Sequence, residues 1–313
     1  MVRYDKETAE QGRKYVEDRR GSGGRRRRAG GGRVGGGRAV GGIGGLIILI
    51  LGALLGIPAL SGGGSSFDID SGSGLGSGGA VDSVGVEETV DPDRDTVEFM
   101  QFLMIDIQDT WDQYFDQAGL AYQYTTLVIF EDQVSTGCGN ATSAVGPFYC
   151  PAPGDNRVYV DLGFYDELSR RFGAPGDFAQ AYVIAHEVGH HIQSITGISQ
   201  GVREAQQRDP GNRNEYSIRQ ELQADCLAGV WAFSAEGRLT RVSGLPILER
   251  GDIEEGLAAA AAVGDDRIQS QAGMTVDPHT WTHGSSEQRI RWFKIGFDSG
   301  DPEACDPFAV DNP

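Results

Sequence analysis

Apolar residues recur every three to four positions through "TVEFMQFLMIDIQDTWDQYFDQAG", which predicts an amphipathic helix starting at Thr96 and stopped by Gly119. Two short runs of different texture follow. "TTLVIF" (125–130) and "RVYVDL" (157–162) are rich in β-branched and aromatic residues and predict strands. From Asp177 onward the helical period returns, predicting helices over 177–195, 215–236, 252–263 and 286–297. Two of them carry capping-box starts, Asp252 with Glu255 and Ser285 with Gln288. No internal repeat is present. The pattern therefore predicts one mostly helical α+β domain with a small sheet over residues 95–313.

Upstream the pattern changes character. "IGGLIILILGALLGIPAL", Ile43 to Leu60, contains no charged residue and eleven Leu or Ile. As a helix it would be about 27 Å long, enough to cross a hydrocarbon core. A buried core helix is the alternative, but the flanks oppose it. Arg25–Arg28, Arg33 and Arg38 precede the stretch, and Gly, Ser and Asp dominate residues 61–94, which read as a flexible linker. By the positive-inside rule, residues 1–42 form a basic cytoplasmic arm, 43–60 a single transmembrane helix, and the domain lies outside the cytoplasm. A cleaved signal peptide fits less well, because the leader is long and no clear A-x-A site follows.

Charge supports the division. Residues 1–40 carry net +7 and the remainder −25, which together make the −18 of the chain. The Gly-interleaved arginines lack aromatic partners, so they read as membrane-orienting rather than as a nucleic-acid patch. Four cysteines show no C-x-x-C pairing, which argues against a zinc ribbon. Export permits disulfides. Cys138 and Cys150 bracket a short loop and are the obvious pair; Cys226 and Cys305 pair by elimination. The "NAT" at Asn140 matches a glycosylation acceptor and reads as incidental.

The candidate chemistry lies in "VIAHEVGHHIQ" (183–193). His186 and His190, at i and i+4, share one helix face and can point two imidazoles at a single ion. Glu187 sits about 100° around the helix, placed to act on a water rather than to ligate. His191 is displaced likewise and reads as a packing residue. The helix "RQELQADCLAGVWAF" repeats the spacing with Glu221 and Asp225, while Ala224 and Ala228 allow close packing. A catalytic zinc takes three protein ligands and keeps one open position, so Glu221 completes a His2Glu set for one Zn2+. Asp225 is placed to accept the N–H of a liganding histidine.

Together "QAYVIAHEVGHHIQ", "QELQADCLAGVW", "CGNATSAVGPFYCP", "VYVDLGFYDEL" and "THGSSEQR" resemble the bacterial neutral zinc metallopeptidase family. Its members are membrane-anchored proteins with H-E-x-x-H and E-x-x-A-D elements, and the family is named largely from its motif. The likeness covers about residues 95–310, while the Gly/Arg-rich amino-terminal arm departs from it. It implies a zincin-like (gluzincin-like) metallopeptidase domain with His186, His190 and Glu221 as ligands and Glu187 catalytic. His283, just before the capped helix at Ser285, resembles the segment after the E-x-x-A-D helix in gluzincins and is the candidate oxyanion stabiliser; His279 is the fallback. Arg289 either anchors a carboxylate or, as preferred here, pairs with Glu287 or a nearby Asp. "RVYVDL" reads either as an edge strand receiving a peptide or as an ordinary core strand.

The expected function is that of a membrane-anchored zinc endopeptidase acting on a peptide or protein substrate, with no nucleic acid as partner. The alternative is a non-catalytic, zinc-stabilised binding module outside the cytoplasm.

Overall fold

The computed structural model describes residues 1–21, 91–171 and 173–313. The expected anchor (43–60) and nearly all of the expected linker lie outside the described residues. Among the described residues, no helix is long and apolar enough to cross a membrane.

The chain opens with α1 (Lys6–Gly12) and a short strand, β1 (Val16–Asp18), neither of which its composition announces. After the gap come the long helix α2 (Arg94–Gln117), β2 (Thr126–Phe130), a hairpin of β3 (Gln133–Thr136) and β4 (Gly139–Thr142), then β5 (Phe148–Cys150) and β6 (Arg157–Asp161). Seven further helical elements follow β6 in order. They are α3 (Gly163–Arg170), α4 (Asp177–Ile195), α5 (Ile198–Arg208), α6 (Arg213–Glu236), α7 (Asp252–Ala262), α8 (Asp265–Gln271) and α9 (Ser286–Ser299), ignoring 3-10 turns. The fold is mixed α+β and mostly helical, as the pattern predicts.

The main sheet has the order β1-β2-β6-β5, with β1, β2 and β6 parallel and β5 antiparallel to β6. β2 and β6 are buried on both faces, which explains their unbroken runs of Leu, Val, Ile and Tyr. "RVYVDL" is accordingly an interior strand; the antiparallel edge is β5, too short to stand out in the sequence. The Ser285–Gln288 capping box forms in both directions. The Asp252–Glu255 box does not. Gly251, at φ 100°, occupies the cap of α7, and Asp252 accepts the backbone N–H of Glu249 instead.

Residues 1–21 are not a separate arm. β1 pairs with β2 in register from Val16–Leu127 to Asp18–Ile129. Val2 and Ala9 join the main hydrophobic core. The Val2 N–H donates to Asp177, the first residue of α4, at 2.6 Å. Arg20 then bridges both sides of the gap, reaching Asp18, Asp91 at 2.7 Å and Asp93 at 2.7 Å. The expected boundary after residue 42 is therefore corrected: residues 1–21 and 91–313 form one folded body. The Arg-rich run of 25–38 dominates the composition there and hides the apolar positions that precede it.

Both expected disulfides are present. Cys138–Cys150 ties the β3–β4 hairpin to β5, and Cys226–Cys305 ties the carboxy-terminal segment to α6. The second closes a separation of 79 residues, for which chain entropy lost from the unfolded state is worth about 4–5 kcal/mol.

α4 and α6 cross in the core, and Gly189 sets how closely. A Cβ there would stand 3.1 Å from the Ala224 Cα. α6 also packs on α9, where a side chain at Gly229 would collide with the Phe293 carbonyl. These approaches bring the three helices that carry the candidate chemistry together.

Candidate metal centre

The crossing places His186 and His190, one turn apart on α4, opposite Glu221 on α6. His186 Nε2 lies 3.2 Å from Glu221 Oε2, and His190 Nε2 lies 3.4 Å from Oε1. One candidate ligand atom from each of the three residues falls within 4.8 Å of the others. The spacing suits an ion. Tetrahedral bonds of about 2.0–2.2 Å set ligand atoms about 3.3–3.6 Å apart.

Each imidazole is oriented from behind. His186 Nδ1 is 2.8 Å from Asp225 Oδ1, an acceptor, so the proton sits on Nδ1 and Nε2 faces Glu221. His190 Nδ1 is 2.8 Å from Gln193 Oε1. The Gln193 amide donates in turn to the Gln220 carbonyl at 2.7 Å and to Gln223 at 3.1 Å, and Gln223 donates to the Cys305 carbonyl at 2.8 Å. The carboxy-terminal disulfide thus abuts the support of the second histidine. The motif alone does not single out Gln193, although its place three residues after His190 puts it on the same face.

The electrostatics favour a cation. Burial opposes charge on His186, but Asp225 and Glu221 outweigh it and raise its pKa to about 9. Burial opposes charge on His190 too, and Glu221 outweighs it and raises that pKa. Burial raises the Glu221 carboxyl, yet His190 and His186 hold it well below the usual carboxylate range. Carboxylates that draw protons onto two imidazoles present the same field to a divalent ion, which would release those protons on binding.

Glu187 is 8% exposed, and its carboxylate has no hydrogen-bond partner among the described residues. Burial raises its pKa, against the opposing pull of His190 and His186. His283 lies across from Glu221, close enough that each shifts the other's titration. Its Nδ1 is 3.1 Å from Asp265 Oδ1, while Asp265 Oδ2 accepts the backbone N–H groups of Thr282, His283 and Gly284. No local pattern points to Asp265, eighteen residues upstream. His279 stays in an exposed turn, where among the described residues only its backbone groups take part in hydrogen bonds. His191 is a packing residue, buried against Tyr149 and Tyr122 and hydrogen-bonded through the Gln123 carbonyl. Arg289 pairs with an acidic side chain as expected, but the acid is Asp225 on α6, not Glu287.

A cavity of about 960 Å³ lies away from these residues, at the carboxyl ends of β1, β2 and β6. Gly21 and Asp91 line it, so it opens where the chain leaves and re-enters the described residues.

A family model described as "Putative neutral zinc metallopeptidase" matches residues 6–308. The chain belongs to this family. The match includes α1 and β1, in keeping with their place in the domain. Among relatives, the uncharacterized protein YpfJ of Escherichia coli (strain K12) is 45% identical over 269 residues, 85% of this chain and 87% of that protein. The uncharacterized protein Rv2575 of Mycobacterium tuberculosis (strain H37Rv) is 47% identical over 193 residues, 60% of this chain and 64% of that protein. No solved structure matches.

Proposed function

We propose that the chain is a zinc-dependent endopeptidase, with His186, His190 and Glu221 holding one ion and Glu187 serving as general base. The convergence of three ligand atoms from α4 and α6, each imidazole oriented by its own acceptor, carries this reading. Bound there, zinc supplies a Lewis-acidic pole that activates water and polarises a carbonyl oxygen. Glu187 accepts the proton of the attacking water and delivers it to the leaving amine. A buried carboxylate with no hydrogen-bond partner among the described residues is suited to that exchange, because its raised pKa brings it closer to neutral pH. His283, oriented by Asp265, presents its Nε2 to the oxygen on which negative charge develops.

The direct test is digestion of a broad peptide library by the purified protein. Cleavage is expected to disappear with a zinc chelator and to return when zinc is restored. Absence of chelator-sensitive cleavage from every peptide would leave the non-catalytic module as the better description.

We also infer that residues 1–21 lie on the same side of any membrane as the metal centre. A single crossing between residues 21 and 91 would put β1 and β2 on opposite faces, and those strands are paired. This replaces the cytoplasmic arm expected from the arginine bias. Single cysteines at the exposed positions Glu10 and Glu254 should react with a membrane-impermeant maleimide under the same conditions. Labelling of one in intact cells and of the other only after permeabilisation would refute it.

A further inference from the structure

Asp225 has no exposed surface, and its carboxylate is saturated with donors. Oδ1 accepts from His186 Nδ1 at 2.8 Å, from the Tyr182 hydroxyl at 2.5 Å and from Arg289 Nη2 at 2.9 Å. Oδ2 accepts from Arg289 Nε at 2.8 Å. The guanidinium is thus bidentate, and it is pinned in its own right. Nη1 donates to the Val263 carbonyl at 3.0 Å and Nη2 to the Tyr182 hydroxyl at 3.2 Å. Arg289 lies four residues after Ser285, whose capping box fixes the start of α9, so the backbone delivering this fork is itself anchored.

We propose that Arg289 is a positioning residue of the metal centre, its planar fork locking the Asp225 carboxylate in the orientation that holds His186 with Nε2 towards Glu221. The inference rests on the zinc reading above and extends it to a residue outside both metal motifs. The geometry carries it. Two parallel N–H bonds fix the plane of a carboxylate, whereas an ammonium supplies charge without direction. The oxygen that receives Nη2 is the same oxygen that receives His186, so a turn of the carboxylate would break the histidine contact as well. Burial alone gives no reason to retain such a pair, since apolar residues of similar volume often stabilise a core equally well.

The test uses Arg289→Lys in the full chain, which keeps the charge and removes the fork. Zinc affinity is read by competition with a chromophoric chelator, and the His186 Nδ1–H resonance is followed by NMR in the metal-free protein. Arg289→Lys is expected to weaken zinc binding by about 10–100-fold and to remove or broaden that resonance. A purely structural ion pair would lower the melting temperature while leaving zinc affinity within about two-fold and the resonance intact, which would overturn the proposal.

If Arg289→Lys fails to fold, the neutral pair Asp225→Asn with Arg289→Met removes both charges together. Its zinc affinity should match that of Asp225→Asn alone, because Arg289 acts through Asp225; a further loss would refute that route. A parent protein that binds no zinc at this centre would instead refute the metal reading itself.

Discussion

Glu187→Gln is expected to keep zinc bound while slowing peptide cleavage by about 10²–10⁴-fold, the usual worth of a positioned general base. The substitution preserves shape and removes only the ability to take up a proton. Glu187 is not among the three residues that converge on the ion position, so metal content should not change. The fold should tolerate it as well, because among the described residues the carboxylate has no hydrogen bond that an amide would break. Zinc content by mass spectrometry and kcat/KM on a responsive peptide, measured on one preparation, decide the matter. Cleavage at the parent rate would remove Glu187 from the chemistry, and loss of zinc would make it a ligand or a structural support instead.

His186→Ala is expected to lose both properties. The imidazole is one of three ligands and connects Glu221 to Asp225, so zinc affinity should fall by more than the about 10–100-fold that a partner behind a ligand is worth. Asp225 keeps Arg289 and Tyr182 as donors, so the variant retains a compensated buried carboxylate and should still fold. Its stability should also respond differently to pH. In the metal-free parent the His186 pKa is raised to about 9, so its contribution is fully present below its ordinary value and is lost as pH rises through about 9. His186→Ala should flatten the His186 part of that decline in denaturant melts. A variant that still carries one zinc per chain after gel filtration would contradict the ligand assignment.

Local periodicity was sufficient wherever an element's own side chains decide its state. The helix expected over 177–195 forms with those limits, and α6 and α7 differ from expectation by one or two residues at an end. Within the site, His186 with His190 and Glu221 with Asp225 were legible because i,i+4 spacing on a helix is a geometric statement, and Glu187 because it adjoins His186 in H-E-x-x-H. What escaped notice depends on contacts between distant segments. Asp265 orients His283 through a turn that only the packing of α8 beside α9 creates, and Arg289 reaches Asp225 across 64 positions of sequence. β1 and β5 are three residues each, too short for a period to register, and they owe their strand state to β2 and β6. The docking of residues 1–21 is hidden for a related reason. An arginine-rich run dominates the composition of residues 1–42, while the positions that dock, Val2, Ala9 and Val16, are scattered among charges.

The most direct measurement is anomalous diffraction at the zinc absorption edge from crystals grown with zinc. The expected result is one peak about 2.0–2.2 Å from the Nε2 atoms of His186 and His190 and from a Glu221 carboxylate oxygen. A zinc-soaked crystal with Glu221 turned away from both imidazoles and no peak between them would contradict it.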